Sequence, residues 1–383
     1  MIVQRILQKI IEDKVKLKAT SRKIIILYGA RQVGKTTLVK KILSRIHVNK
    51  EYFNCDYFDI QSLFSYENTG NLESIVGKYD LIVLDEAQRI KNIGLVLKIL
   101  HDEFPHLQVI ATGSSSFDLS NKINEPLTGR KIVYRLFPFS FPELNASSSS
   151  VKSARLVNRI LRFGSYPSVI LQDDSDALIN LNEIASSYLF KDIMEFHALK
   201  KPEILLDLLK LLSFQISNEV SYTEIAGKLR VDQTVIQRYI QLLEESFIIF
   251  RLPALKKNLR NEIGKSRKIY FWDIGIRNAL IQNTNSLDFR NDEGALWENF
   301  CVSERLKYLN YLNPLQYKQF FWRTYGQKEI DYIEEKAGQL NAFEFKWAST
   351  KKDKMHPEFR IAYPDSTFRL ITPGNFENEL FKK

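Results

Sequence analysis

The chain has 383 residues, 44% hydrophobic and 26% charged, with a formal net charge of +10. That length exceeds what one hydrophobic core serves, so two or three domains are expected, and the composition excludes extensive disorder. The basic balance points to an anionic partner, nucleic acid ahead of a membrane surface, although a lysine-rich solvated surface gives the same charge.

The opening segment, MIVQRILQKIIEDKVK, breaks its apolar residues with charges at helical spacing. It reads as an amphipathic helix and not as a signal peptide. No apolar run is long enough to span a bilayer, so no membrane partner is expected. Cys55 and Cys301 form no CxxC pair, which argues against a zinc ribbon or disulfide scaffold and fits a cytoplasmic location.

KIIILYGARQVGKTTLVKKIL follows. An apolar strand turns at Gly29 and resumes as a helix after Gly34, Lys35 and Thr36, which is the G-x-x-x-x-G-K-[ST] phosphate loop in its required strand and helix context. The loop spans Gly29, Ala30, Arg31, Gln32, Val33, Gly34, Lys35, Thr36 and Thr37. Its glycines let the backbone turn N–H groups toward phosphates, and the following helix N-terminus adds positive potential. Lys35 would reach the β- and γ-phosphates of ATP, and Thr36 would ligate Mg²⁺.

In KYDLIVLDEAQRI an apolar strand delivers Asp85 and Glu86 to its carboxyl end, where open α/β sheets bind ligands. Asp85 would hold the Mg²⁺ and Glu86 would polarise an attacking water, favouring hydrolysis over transfer. A further strand, LQVIAT, runs into GSSSF, placing Thr112 or Ser114 to contact the γ-phosphate or that water; serine and threonine after a strand are also ordinary turn formers. In LTGRKIVYRLFPFSFPEL, Arg130 precedes a strand. It either neutralises transition-state charge, in cis or from a neighbouring subunit, or is a solvated surface arginine.

NASSSSVKSAR, residues 145–155, is the clearest low-complexity break and reads as a loop leaving the core. Helical patterns then dominate to residue 217. In EVSYTEIAGKLRVDQTVIQRYIQLLEESFIIFRLPAL a short helix carries Ile225 and Leu229 inward, and Asp232 starts a second helix with Val235, Ile236, Tyr239 and Leu243 on its apolar side. A strand, FIIFRL, supplies a wing, which is winged-helix phrasing. Gln233, Thr234, Gln237 and Arg238 would be free to face DNA, and the basic run LKKNLRNEIGKSRK follows; winged helices also serve as plain packing modules.

Strict alternation along KEIDYI puts Glu329 and Asp331 on one face, with Ile330 and Tyr332 on the other. In NAFEFKW, Glu344 and Lys346 share a face opposite Phe343, Phe345 and Trp347. A hairpin through Gly338 would bring Asp331 beside Glu344. Two carboxylates bind a hard divalent ion, Mg²⁺ or Mn²⁺, and a neighbouring lysine steadies a hydroxide or phosphate, although alternating charge is also what a solvated sheet face carries. The five histidines, His47, His101, His106, His197 and His356, show no metal-ligand spacing.

GARQVGKTTL, LIVLDEAQRI, ATGSSSFDL, LTGR and LFPFSFPEL together resemble the bacterial and archaeal AAA+ ATPases whose C-terminal half is a domain of unknown function related to restriction-endonuclease-like folds. RFGSYPSVI, YLFKDIM, YFWDIGIRNAL, GALWENF, EIDYI and FEFKW continue the resemblance over nearly the whole chain. The acid followed one strand later by acid-x-lysine is similar to the PD-(D/E)XK nuclease core, with Glu298 as an extra acidic metal ligand beside Asp331 and Glu344. Ile330 stands where that group takes its name from proline.

The resemblance implies an α/β chain. A P-loop NTPase parallel sheet of AAA+/ASCE type occupies residues 1–145, a helical lid and winged-helix connector 146–255, and a restriction-endonuclease-like α/β domain 256–383. It implies Mg²⁺-dependent ATP hydrolysis coupled to a DNA-associated C-terminal module, with Glu86, Lys35 and Arg130 acting in hydrolysis, and it implies a homo-oligomer. The alternatives are an ATP-regulated, metal-dependent nuclease acting through Asp331, Glu344 and Lys346, or an ATP switch with an inactive nuclease-like docking domain.

Overall fold

Three apolar runs, Ile24–Tyr28 (β1), Leu81–Asp85 (β3) and Gln108–Gly113 (β4), are buried along their whole length. Strands covered on both faces read as continuous hydrophobic stretches, which is why periodicity of two is missing from them. With Lys50–Asn54 (β2) and Lys131–Arg135 (β5) they make one sheet in the order β2-β3-β4-β1-β5, parallel throughout. All five carboxyl ends therefore lie along one rim. The amphipathic helix Ile6–Val15 forms as expected and buries Leu7, Ile11 and Val15.

In the computed structural model, residues 3–16, 22–65, 70–114, 127–146, 150–188, 202–255, 267–312, 316–324, 326, 328–348 and 354–382 are described. Two units emerge: Met1–Phe139 with Glu245–Phe247, and Ser140–Glu244 with Ile248–Lys383. The second takes in residues 140–145, the segment expected as connector except Glu245–Phe247, and the segment expected as C-terminal domain. Among the described residues no helix is long and apolar enough to cross a membrane.

Within the second unit, the helix Ser150–Phe163 takes in the last six residues, 150–155, of the stretch expected as a loop, while 147–149 lie outside the described residues. Leu156, Val157, Ile160 and Leu161 recur at helical spacing, and that apolar stripe overrides the poor propensity of Ser150 and Ser153. The helices Tyr222–Leu229 and Gln233–Glu245 appear where expected, followed by Ile249–Pro253 (β6) paired antiparallel with Arg267–Phe271 (β7). Ile225, Ile236, Tyr239 and Leu243 are buried, Leu229 and Val235 partly so, and Gln233, Thr234, Gln237 and Arg238 are exposed. Most of the basic run, residues 256–266, lies outside the described residues, as do residues 189–194 of YLFKDIM.

Lys318–Arg323 (β8), Glu329–Lys336 (β9), Gln339–Phe345 (β10) and Thr367–Ile371 (β11) form a second sheet in the order β11-β10-β9-β8. The first three are antiparallel neighbours, and β11 returns parallel to β10 after the helix Pro357–Ala362. The β9–β10 hairpin turns through Ala337 and Gly338, both at positive φ (51° and 85°), as a two-residue turn of matching twist requires. One expectation fails: two steps along β8, Phe320 to Trp322, face three along β9, Ile333 to Ile330. The extra residue makes a bulge at Asp331–Tyr332, so Ile330 and Ile333 meet in one apolar cluster and strict alternation is lost.

The family motifs beyond residue 160 are mutual supports. Gly164 has φ 78°, and a Cβ there would sit 2.0 Å from Asp273 Oδ1; one on Gly275 would sit 2.0 Å from the carbonyl oxygen of Phe163. Asp273 accepts hydrogen bonds from the Ser165 amide (2.7 Å) and the Ile276 amide (3.2 Å), which caps the helix Ile274–Leu280.

Candidate functional site

At the carboxyl rim of the first sheet, the chain leaves β1 at Gly29, crosses to Gly34 and enters the helix Lys35–Arg45. The two glycines have different reasons. Gly29 is needed because a Cβ would lie 2.3 Å from the Leu136 carbonyl oxygen, whereas Gly34 takes φ 94°. Gln32 also has positive φ, 61°. Ala30 and Val33 are buried beneath the loop, while Gln32 and Thr37 are exposed and Arg31 is half-buried. The helix begins without a side-chain cap, which leaves its first amides to serve as anion donors. Lys35 Nζ donates to the carbonyls of Gly29 (3.0 Å) and Ala30 (3.1 Å) and lies 4.0 Å from Glu86 Oε1.

Asp85 collects three hydroxyls. Thr36 Oγ1 donates to Oδ2 at 2.7 Å, Tyr52 Oη donates to the same oxygen, and Thr112 Oγ1 donates to Oδ1. Burial, then the hydrogen bond to Asp85, pushes the Tyr52 phenol well above its usual range, so it remains a donor. The hydroxyl of Thr36 beside a carboxylate is a pair of hard oxygen donors suited to Mg²⁺, and the residues present fit that ion. Glu86 sits at φ 55°, its amide donates to Thr112 Oγ1 (3.1 Å), and its Oε2 accepts from Gln88 Nε2 (2.5 Å). Gln88 also reaches Ser114 Oγ at 3.2 Å. Thr112 thus tethers both acids and Ser114 steadies Gln88. Sequence reading missed Tyr52 and Gln88: no spacing rule marks a tyrosine inside a strand, and the glutamine two residues past Glu86 carries no pattern of its own.

Arg130 lies elsewhere. Its carbonyl pairs with the amide of Ile24 at the start of β1, a strand's length, roughly 15 Å, from the phosphate loop. Its Nε bonds Asp102 Oδ1 at 2.8 Å, and that hydrogen bond, with His101, lowers the Asp102 carboxyl to about 2. Of the roles open to Arg130, action on the phosphate loop of its own chain does not fit this position: the parallel sheet puts the beginning of β5 at the opposite rim.

The second unit gathers a different constellation. The helix Glu293–Leu312 presents Glu298, and oxygens of Glu298, Glu329 and Asp331 lie within 4.8 Å of one another. The hairpin register sets Phe343 opposite Tyr332, and Asp331 Oδ2 accepts from the Phe345 amide at 2.9 Å, which brings Glu344 alongside. Glu344 is bonded by Lys346 at 2.6 Å, so the compact acid triplet contains Glu329 in the place expected for Glu344. Burial raises the carboxyls of Glu298 to about 8 and Glu344 to about 7, the latter helped by Asp331, and burial also raises Asp331.

Lys268 of β7 enters this cluster. It is 1% exposed, and its ammonium lies 2.8 Å from Glu298 Oε1 and in contact with Glu329 Oε1. Burial works against its charge, but Glu298, Asp331 and Glu329 outweigh that and raise its pKa. Tyr270 Oη donates to the same Glu298 oxygen at 2.7 Å, and Arg323 Nε lies 3.5 Å from Glu329. Two of these three carboxylates, Glu298 and Glu329, thus already share one ammonium, and Glu298 Oε1 accepts from both Lys268 and Tyr270. Nothing in the sequence separates this lysine from the basic run it ends.

Residues 21–145 match the family model described as an AAA domain; 154–287 and 293–380 match two domains of unknown function, DUF8612 and DUF4143. With the loop and the parallel sheet, residues 21–145 form an AAA-type P-loop ATPase domain. The chain is 29% identical over 330 residues to an uncharacterized protein of Mycobacterium tuberculosis, covering 85% of this chain and 71% of that one. It is 24% identical over 411 residues to an uncharacterized protein of Methanocaldococcus jannaschii, covering 97% and 89%. Among solved structures, the Walker-type ATPase of Pyrococcus abyssi is similar with TM-score 0.47 and 15% identity, over 73% of this chain and 96% of that one.

Proposed function

We propose that the chain hydrolyses ATP with Mg²⁺ and uses the cycle to drive or gate a DNA-associated C-terminal module. The observation that carries hydrolysis is the 2.7 Å bond from Thr36 to Asp85 beside a Glu86 whose carboxylate is held by Gln88. Lys35 and the loop amides bind the β- and γ-phosphates, and Glu86 accepts the proton of the attacking water. Mg²⁺, held by Thr36 and through Asp85, would supply charge neutralisation on the phosphates. Asp85 stays placed when Thr36 turns to the ion, because Tyr52 and Thr112 retain their bonds to it. Arg130 acts, on this reading, from a neighbouring subunit of a homo-oligomer. Phosphate release measured against protein concentration tests both points. Turnover should require Mg²⁺ and rise per chain as concentration increases; turnover that is independent of concentration and unaltered in Arg130→Ala removes the arginine and the oligomer from the account.

The DNA association rests on the net charge of +10 and on exposed Gln233, Thr234, Gln237 and Arg238 along a helix followed by the β6–β7 pair. For residues 256–383, two readings divide on one experiment. The order helix, three antiparallel strands, helix, parallel strand supports a restriction-endonuclease-like fold, and cleavage would act through Asp331, Glu344 and Lys346 with a second metal. The pairing of Lys268 with Glu298 and Glu329 favours the other reading, a docking domain without cleavage. With plasmid, ATP and Mg²⁺ or Mn²⁺, the docking reading expects intact plasmid and an affinity that falls steeply with salt. Cleavage abolished by Asp331→Ala and Glu344→Ala would establish the nuclease instead.

A further inference from the structure

We propose that Lys268 is the resident cation of the C-terminal carboxylate cluster, so that Glu298, Glu329 and Asp331 form a divalent-metal site only when that lysine is removed. The inference goes beyond the docking reading, because it concerns metal binding alone and holds whether or not DNA is engaged.

Four observations support it. First, the ammonium sits against two of the three acids, bonded to Glu298 at 2.8 Å and in contact with Glu329. A divalent ion among the same oxygens would stand within a few ångströms of a positive charge held out of water, where screening is weak. Second, the lysine has no easy exit. Its backbone pairs with Leu252 in β6 on one side and bridges Glu219 on the other, while the neighbouring Arg267 carbonyl accepts from the Val220 amide at 2.9 Å. Third, its nitrogen lies 5.7 Å from the centroid of the Phe321 ring, so an aromatic face rather than solvent adjoins the ammonium. Fourth, the remaining charges are matched in kind: Arg323 lies beside Glu329 and Lys346 bonds Glu344. Two of the three acids spaced for a metal, Glu298 and Glu329, are thus already paired with cations built into the chain, which offsets the negative charge that would otherwise attract an added ion.

The test is Mn²⁺ binding to the full-length protein without nucleotide, followed by electron paramagnetic resonance, with each chain compared to the same chain carrying Asp331→Asn. The Asp331-dependent part of the signal isolates the cluster from the phosphate-loop site. The unmodified protein should show no such part at millimolar Mn²⁺. Lys268→Met should acquire one Mn²⁺ per chain, lost again with Asp331→Asn, and Mn²⁺ should raise its melting temperature but not that of the unmodified protein. An Asp331-dependent site in the unmodified chain overturns the proposal and leaves the metal-dependent reading standing. Absence of any such site in folded Lys268→Met overturns it and removes metal from the C-terminal domain altogether. Should Lys268→Met not fold, the unmodified chain still decides, since a site there contradicts the proposal and none is what it requires.

Discussion

Lys35→Ala should lower ATP turnover by on the order of 10²–10³-fold, the loss typical when one preorganised charge or donor on a developing anion is deleted. The side chain is 5% exposed and its ammonium is bonded to the Gly29 and Ala30 carbonyls, so it is fixed over the loop at no further ordering cost when phosphate arrives. Alanine removes the charge without touching Gly34, whose φ of 94° sets the turn into the helix. Glu86→Gln supplies the contrast. It keeps the size and the bond from Gln88 but cannot accept the proton, so nucleotide affinity should survive while turnover falls by on the order of 10²–10⁴-fold. Phosphate release and nucleotide titration on both variants separate binding from chemistry. Unchanged turnover in folded Lys35→Ala would end the assignment of this loop.

Legibility differed between the two units for a physical reason. The phosphate loop is a local object: the strand, the two glycines, Lys35 and Thr36 are contiguous, and the fully apolar LIVL run announces a central strand that ends in Asp85 and Glu86. The β9–β10 hairpin was equally plain, since Gly338 sits between two alternating segments. What escaped is what depends on distant partners. Arg130 reads equally as a transition-state cation, in cis or in trans, or as a surface arginine, and only the parallel pairing that puts it beside Ile24 separates it from the phosphate loop of its own chain. Glu329 and Asp331 do share a face as the alternation says, but the bulge opposite Phe320–Trp322 that brings Ile330 and Ile333 together, and Lys268, which pairs with Glu329 from 61 residues away in sequence, depend on partners the local pattern does not show. Gly164 and Gly275 marked a family without stating a purpose; the purpose is a close approach between segments more than 100 residues apart.

Arg305→Ala should destabilise the second unit by about 3–5 kcal/mol, the cost of stranding a buried charge. Arg305 and Glu334 are 2% and 1% exposed, and the guanidinium bonds both carboxylate oxygens, one at 2.8 Å, while also donating to the carbonyls of Leu380 and Lys382 at 2.6 Å. For a unit of this size the melting temperature should fall by about 6–20 °C, at about 2–4 °C per kcal/mol. Arg305→Met combined with Glu334→Leu should recover most of that loss, because two apolar groups of similar volume strand no charge. Glu298 and Arg305 stand seven residues apart on the helix Glu293–Leu312, two turns along one face, and both meet acids or partners on β9. The Arg305–Glu334 bond therefore fixes the axial position from which Glu298 reaches Lys268. In the double variant, packing alone must hold that position. A circular dichroism melt gives the stability, and a melt of Arg305→Ala within a degree or two of the unmodified protein would show that the ion pair does not anchor this helix to the sheet.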